Sequence, residues 1–167
     1  MNSDPKVGLS LAVATMDIEL GLKVIDGIGK WESMQEAVSF LEGLRLEGSS
    51  PASYLLAEIH IRYGRWQEAV DCYIESALSG LPSGYYVAAK LQEKHGVASS
   101  DGNWNYIELM RKGTASGHIW SRLAVLREQA SNSLFGRVRF LIYRLLVSPI
   151  QIVMASVISS RRDRIRY

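Results

Sequence analysis

Three histidines, one cysteine and scattered carboxylates are the side chains from which acid–base, nucleophilic or metal chemistry could be assembled in this 167-residue chain. His60, His95 and His118 stand far apart, and none belongs to a His-x-x-x-His or Glu-x-x-His pair. Such pairs place two ligands on one helical face, which a metal site needs. Cys72 is alone, so an internal disulfide and a multi-cysteine zinc site are excluded. It directly precedes Tyr73 in a helix-like run, where a small buried hydrophobe is a commoner role than a nucleophile. Gly27-Ile28-Gly29-Lys30 is too short for a phosphate-binding loop, and Glu32 with Glu36 reads as a solvated helix face. The expectation is a non-catalytic chain with no metal, no cofactor and no small-molecule substrate.

The elements that carry these residues read as helices. Apolar residues make up 47% and charged residues 22%, a globular balance. No strand-like alternation of useful length occurs, so the fold class is all-α. At the N-terminus Ala12-Val13-Ala14 has the small-x-small form of a signal-peptidase site. The run before it is short, includes Gly8 and Ser10, and has Asp4 where cations are wanted. Asp4 and Pro5 instead read as the cap and first residue of a helix. Helices are expected over about 5–26, 31–47, 52–63, 65–79, 83–95, 103–115 and 118–130.

The spacing of tryptophans and glycines gives these helices a period. Trp31, Trp66 and Trp104 each follow a glycine by two residues, and each precedes a helix-like run closed by Gly48, Gly80 or Gly117. Such periods mark stacked helical hairpins, each too small to bury its apolar face alone. In the central unit Tyr54, Leu55, Leu56, Ile59 and Tyr63 are set to pack from the first helix. Ala69, Tyr73 and Ala77 answer at every fourth residue of the second. The three tryptophans are expected to pack between helices, and Trp120, outside the series, to pack the last repeat against the tail.

The stretch Gly64-Arg-Trp-Gln-Glu-Ala69-Val-Asp-Cys-Tyr73-Ile-Glu-Ser-Ala77-Leu-Ser-Gly80 resembles the second half of a tetratricopeptide-type repeat, in particular its Sel1-like subclass. His95-Gly96-Val97 followed by Asp101 is similar to that subclass's inter-helix connection, without its first glycine, and Gly117-His118 resembles its closing glycine. The likeness covers about residues 30–128. The third unit has Ala115 at the later small position but Ile107 where the earlier alanine is usual, and the first unit has a longer Trp-to-Ala interval. The resemblance implies a short α-solenoid of about three helical hairpins that binds protein partners on its concave face. Glu58, Arg62, Tyr86, Lys90 and Glu93 are the candidate contacts there.

Ala37, Leu41 and Gly48-Ser-Ser-Pro51 also resemble a pentatricopeptide repeat, a family that reads single-stranded RNA. Charge argues against that function. Residues 1–133 hold 12 Lys and Arg against 16 Asp and Glu, a net −4. Nucleic-acid affinity rests on phosphate neutralisation, so no nucleic-acid partner is expected.

The last 34 residues have the opposite balance, seven arginines against one aspartate. Residues 140–158 are mostly apolar and long enough to span a bilayer core, with arginines on both sides. A soluble capping helix is disfavoured by the continuous apolarity. A spanning helix meets an orientation conflict, because the body and the flanking arginines both belong on the cytoplasmic side. A helix lying in the interface, or dipping in and returning at Pro149, satisfies both. Leu145-Leu-Val-Ser148-Pro149-Ile-Gln-Ile is similar to the Ser-Pro-broken re-entrant helix of small bacterial phosphoglycosyl transferases, whose catalytic domain has no counterpart here. Arg137, Arg139, Phe140, Arg144, Leu145, Pro149, Ile150, Arg161, Arg162 and Arg164 are the expected contacts with a membrane or anionic lipid.

The sequence thus divides into a helical-repeat domain over 1–130, a polar joint over 131–133 and a cationic apolar tail over 134–167. The expected function is a non-catalytic protein–protein interaction adaptor held at a membrane surface, with its body in the cytoplasm. The alternative is a soluble regulatory or accessory subunit whose C-terminal helix is buried in a partner, with an envelope-glycan assembly enzyme as one such partner.

Overall fold

The computed structural model describes residues 4–28, 31–132, 134–147 and 149. The described residues form nine α-helices and a closing π-helical turn, without strands. The first expected helix is in fact two, α1 (Pro5–Thr15) and α2 (Ile18–Gly27). Asp4 caps α1, accepting the Lys6 N–H at 2.9 Å, and Pro5 occupies its first turn. The break comes at Met16, whose φ of 54° is left-handed. The Met16 N–H donates to the Val13 carbonyl and the Asp17 N–H to the Ala12 carbonyl, which closes α1 as a Schellman motif. Asp17 then caps α2 through Leu20. No glycine or proline marks this turn, so the apolar period Val7, Leu11, Ala14, Ile18, Leu22 and Ile25 looks like one helix running across it; in α1 Leu9 and Ala12 are the buried residues instead, and Val7 and Leu11 are exposed.

The other boundaries fall close to expectation: α3 (Trp31–Leu46), α4 (Ser50–Arg62), α5 (Trp66–Leu78), α6 (Ser83–His95), α7 (Tyr106–Ala115), α8 (Ile119–Asn132) and α9 (Leu134–Ile142), then the π turn Tyr143–Val147. The polar stretch expected as a joint continues α8 through Asn132. Successive helices pack against one another except α2 and α3: α3 lies against α1 and α4, and α2 along α4.

Helix α4 sits at the centre and is buried nearly all round, from Ser50 to Ala57 and again at Ile59, whereas Tyr63, expected to pack with them, lies exposed at its C-cap. Tyr73 of α5 sets its ring edge-on to Tyr54, with centroids 4.9 Å apart, and its hydroxyl donates to Glu58 Oε1 at 2.6 Å. The Ser76 hydroxyl donates to the Ser50 carbonyl at 2.8 Å. These pairings, with Ala69 and Ala77 buried between the helices, make α4 and α5 an antiparallel hairpin. Helix α6 approaches α5 more closely still. A Cβ on Gly84 would stand 2.2 Å from the Tyr73 carbonyl oxygen, so only glycine fits. Between α7 and α8, Gly113 makes a close approach to the Ser121 side chain, where a Cβ would stand 2.3 Å from its hydroxyl oxygen.

Trp66 stacks on His95 at 3.9 Å, and the Trp104 ring lies 6.0 Å from Tyr85. Both pack on the core between successive helices. Ile107, by contrast, points outward, because Leu109, Met110 and Gly113 supply the inner face of α7. Asp101 organises the connection from α6 to α7, accepting from the Ser99 hydroxyl and the Asn103 N–H. Asp71 of α5 anchors the same loop by accepting from the Ser100 N–H at 3.0 Å.

Helix α9 turns back along α8. The Arg122 guanidinium lies over the Tyr143 ring, 4.8 Å from its centroid, and Arg137 Nε donates to the Ala130 carbonyl. Gly136 and Tyr143 are buried in this contact.

Candidate functional site

The residues expected on one concave face have different surroundings. Glu58 is half-buried beneath Tyr73, and burial pushes its carboxyl up from the ordinary range. Arg62 pairs with Asp26 of α2. Lys90 pairs with Glu93 one turn on, at 2.5 Å, which raises the lysine. Tyr86 sets its ring 5.3 Å from that of His118.

Tyr86 and Lys90 join a different set. They line a groove of about 880 Å³ whose other walls come from α7, α8 and α9. Tyr106 closes one side, while α8 contributes Trp120, Leu123, Arg127 and Glu128. From the last segment come Phe140 and Arg144. Arg127 is exposed and makes no ion pair with a described residue. The groove thus joins two residues expected to bind protein with two expected to meet a membrane. Sequence reasoning left Tyr106 and Arg127 out. Trp120 and Arg127 stand seven apart on one stripe of α8, a spacing that shows a shared face but not what it faces.

The outer side of α9 is apolar and exposed. Phe135, Val138, Leu141, Ile142 and Leu145 are each about half exposed or more, up to 74% at Phe135. At helical spacing they fall within an arc of about 120°. Arg139 borders one edge of this arc, and Arg137 and Arg144 the other, all three exposed. Phe140, Gly136 and Tyr143 turn towards α8 instead. Pro149 is exposed, whereas Ile150, Arg161, Arg162 and Arg164 lie outside the described residues.

Comparison with protein-family models, curated proteins and solved structures finds no match. The reading of this surface therefore rests on its own geometry.

A second concavity, of about 520 Å³, lies between α3, α4, α5 and the loop after α6. Its rim is acidic, with Glu42, Glu68, Asp71 and Asp101 around the Arg45–Glu75 pair, in which Arg45 Nη1 donates to both carboxylate oxygens. Cys72 lies at this cavity, where burial, reinforced by Glu75, pushes the thiol up to about 12. It stays protonated at neutral pH, the opposite of an activated nucleophile. Among the described residues no three His, Cys, Asp or Glu side chains are grouped to hold a metal ion.

Proposed function

We propose that this chain is a membrane-surface adaptor. In this reading its helical hairpins form a short Sel1-like solenoid that binds a protein partner, and α9 fixes the solenoid to a bilayer. The observation that carries the reading is the outer face of α9, a row of exposed apolar side chains bordered on both edges by arginines. A helix lying in the interface needs that arrangement, with aliphatic and aromatic groups among the acyl chains and guanidiniums reaching to headgroups. Burying five half-exposed apolar side chains contributes roughly 5 kcal/mol. Each arginine near an anionic surface adds about 1 kcal/mol. No helix among the described residues is long and apolar enough to cross a membrane. A helix seated against α8 and lying flat supplies attachment without crossing.

Flotation with lipid vesicles tests the reading. The full chain should float, and the triple variant Phe135→Gln, Leu141→Gln, Leu145→Gln should stay in the dense fraction while keeping its helical circular dichroism. If both stay dense, the face serves a protein, and the chain is the accessory subunit of the alternative reading.

A further inference from the structure

We infer that the groove between α6, α7, α8 and α9 is a headgroup site for an anionic phospholipid of the bilayer on which α9 lies. The inference rests on the membrane-adaptor reading and adds a lipid class to it. Three features of the groove point to such an occupant.

The first is charge. Lys90, Arg127 and Arg144 come from three separate segments to one groove, against Glu128 on its wall and Glu93 paired to Lys90. The surrounding hairpin deepens the bias, because residues 119–149 contain five arginines and one carboxylate. Residues 1–118 carry 10 Lys and Arg against 15 Asp and Glu, a net negative charge, so the net positive charge lies at this end. Arginines suit phosphate through planar paired donors.

The second is the lining. Tyr86, Trp120 and Phe140 give an aromatic floor beside the cations. Aromatic rings with polar tips suit the level of the headgroups, where one end of the site is wet and the other apolar. About 880 Å³ is within the range that accommodates a phosphoglycerol headgroup with the start of its chains.

The third is continuity. Arg144 both lines the groove and borders the exposed apolar arc of α9. A lipid whose phosphate sits in the groove can therefore leave its acyl chains along Leu141 and Leu145. A free phosphate ester would use the cations but not this adjoining face, which favours the lipid.

Binding of the full chain to vesicles of phosphatidylcholine, with and without phosphatidylglycerol, tests the inference with two charge-matched variants. Arg127→Gln removes a cation inside the groove, and Arg139→Gln removes one from the far edge of α9. With phosphatidylglycerol present, Arg139→Gln should weaken binding about fivefold, the loss of one diffuse surface charge. Arg127→Gln should weaken it at least tenfold, as expected for a charge-assisted contact. On phosphatidylcholine alone the two variants should match the wild type. Equal losses for the two variants would overturn the site while leaving membrane attachment standing. Displacement of the protein from vesicles by soluble glycerol phosphate, at concentrations too low to act as general salt, would assign the groove to a soluble ester and overturn the lipid. Absence of binding to either vesicle would overturn the adaptor reading itself.

Discussion

His118 shows how much one side chain can hold in place. Its ring is only 8% exposed, lies against Tyr86, and contacts the Ser121 hydroxyl at 3.0 Å, while the Ser121 N–H donates to its Nδ1. The ring thus caps the start of α8, a task that requires an unprotonated Nδ1. Burial lowers its pKa to about 4. Between that value and the ordinary 6.5 the unfolded chain takes up a proton that the folded chain refuses. The resulting stability is complete above about pH 6.5 and is lost as the pH falls towards 4, by at most about 3 kcal/mol. Burial of His60 acts in the same direction, and the raised Glu58 carboxyl acts in the opposite one. A comparison with His118→Asn isolates the contribution, because asparagine caps without titrating. The variant's urea midpoint should fall less steeply with acid than the wild type's. The glycines offer a second prediction at this scale. Gly84→Ala should destabilise by about 2–3 kcal/mol, since its Cβ meets the Tyr73 carbonyl. Gly43→Ala, with open space around it in the last turn of α3, should stabilise by about 0.5 kcal/mol. Both glycines are visible in the sequence, but only the close approach of α6 to α5 gives them opposite signs.

Among the elements, the hairpin of α4 and α5 was the most legible. Ala69, Tyr73 and Ala77 recur every four residues because they share one face, and Gly64 and Gly80 end the two helices with positive φ. The turn between α1 and α2 was illegible for the corresponding reason: Met16 occupies a left-handed position without a glycine to announce it. Met16→Gly should relieve that strain and raise stability by roughly 1 kcal/mol, read as a higher denaturant midpoint. The small position of α7 was not legible in the repeat pattern, which offers Ala115: that residue is exposed, and Gly113 makes the close contact, against Ser121. Helix α9 was legible in composition, as an apolar segment with arginines. Its seat on α8 was legible only as the expectation that Trp120 meets the tail; the Arg122–Tyr143 contact, between residues 21 apart, was not. In the glutamine triple variant of α9, substitutions on its outer face should leave the melting temperature within a few degrees of the wild type.

At the scale of the whole molecule, charge and apolarity are arranged along the helical order. The acidic helices come first, and the arginines and the uncovered apolar face come together at the end built from α8 and α9. Arg122 and Arg127 of α8 join the arginines of α9 at this end. The α8–α9 hairpin is the proposed membrane side, leaving the acidic helices to face the partner. A nitroxide scan along residues 135–145, in a Cys72→Ala background bound to vesicles, addresses that arrangement most directly. Positions 135, 138, 142 and 145 should be accessible to oxygen in the bilayer. Position 139 should be accessible to a water-soluble relaxant, and 136 and 140 protected from both. A pattern without this helical period, with every position in water or every position shielded by protein, would contradict the account.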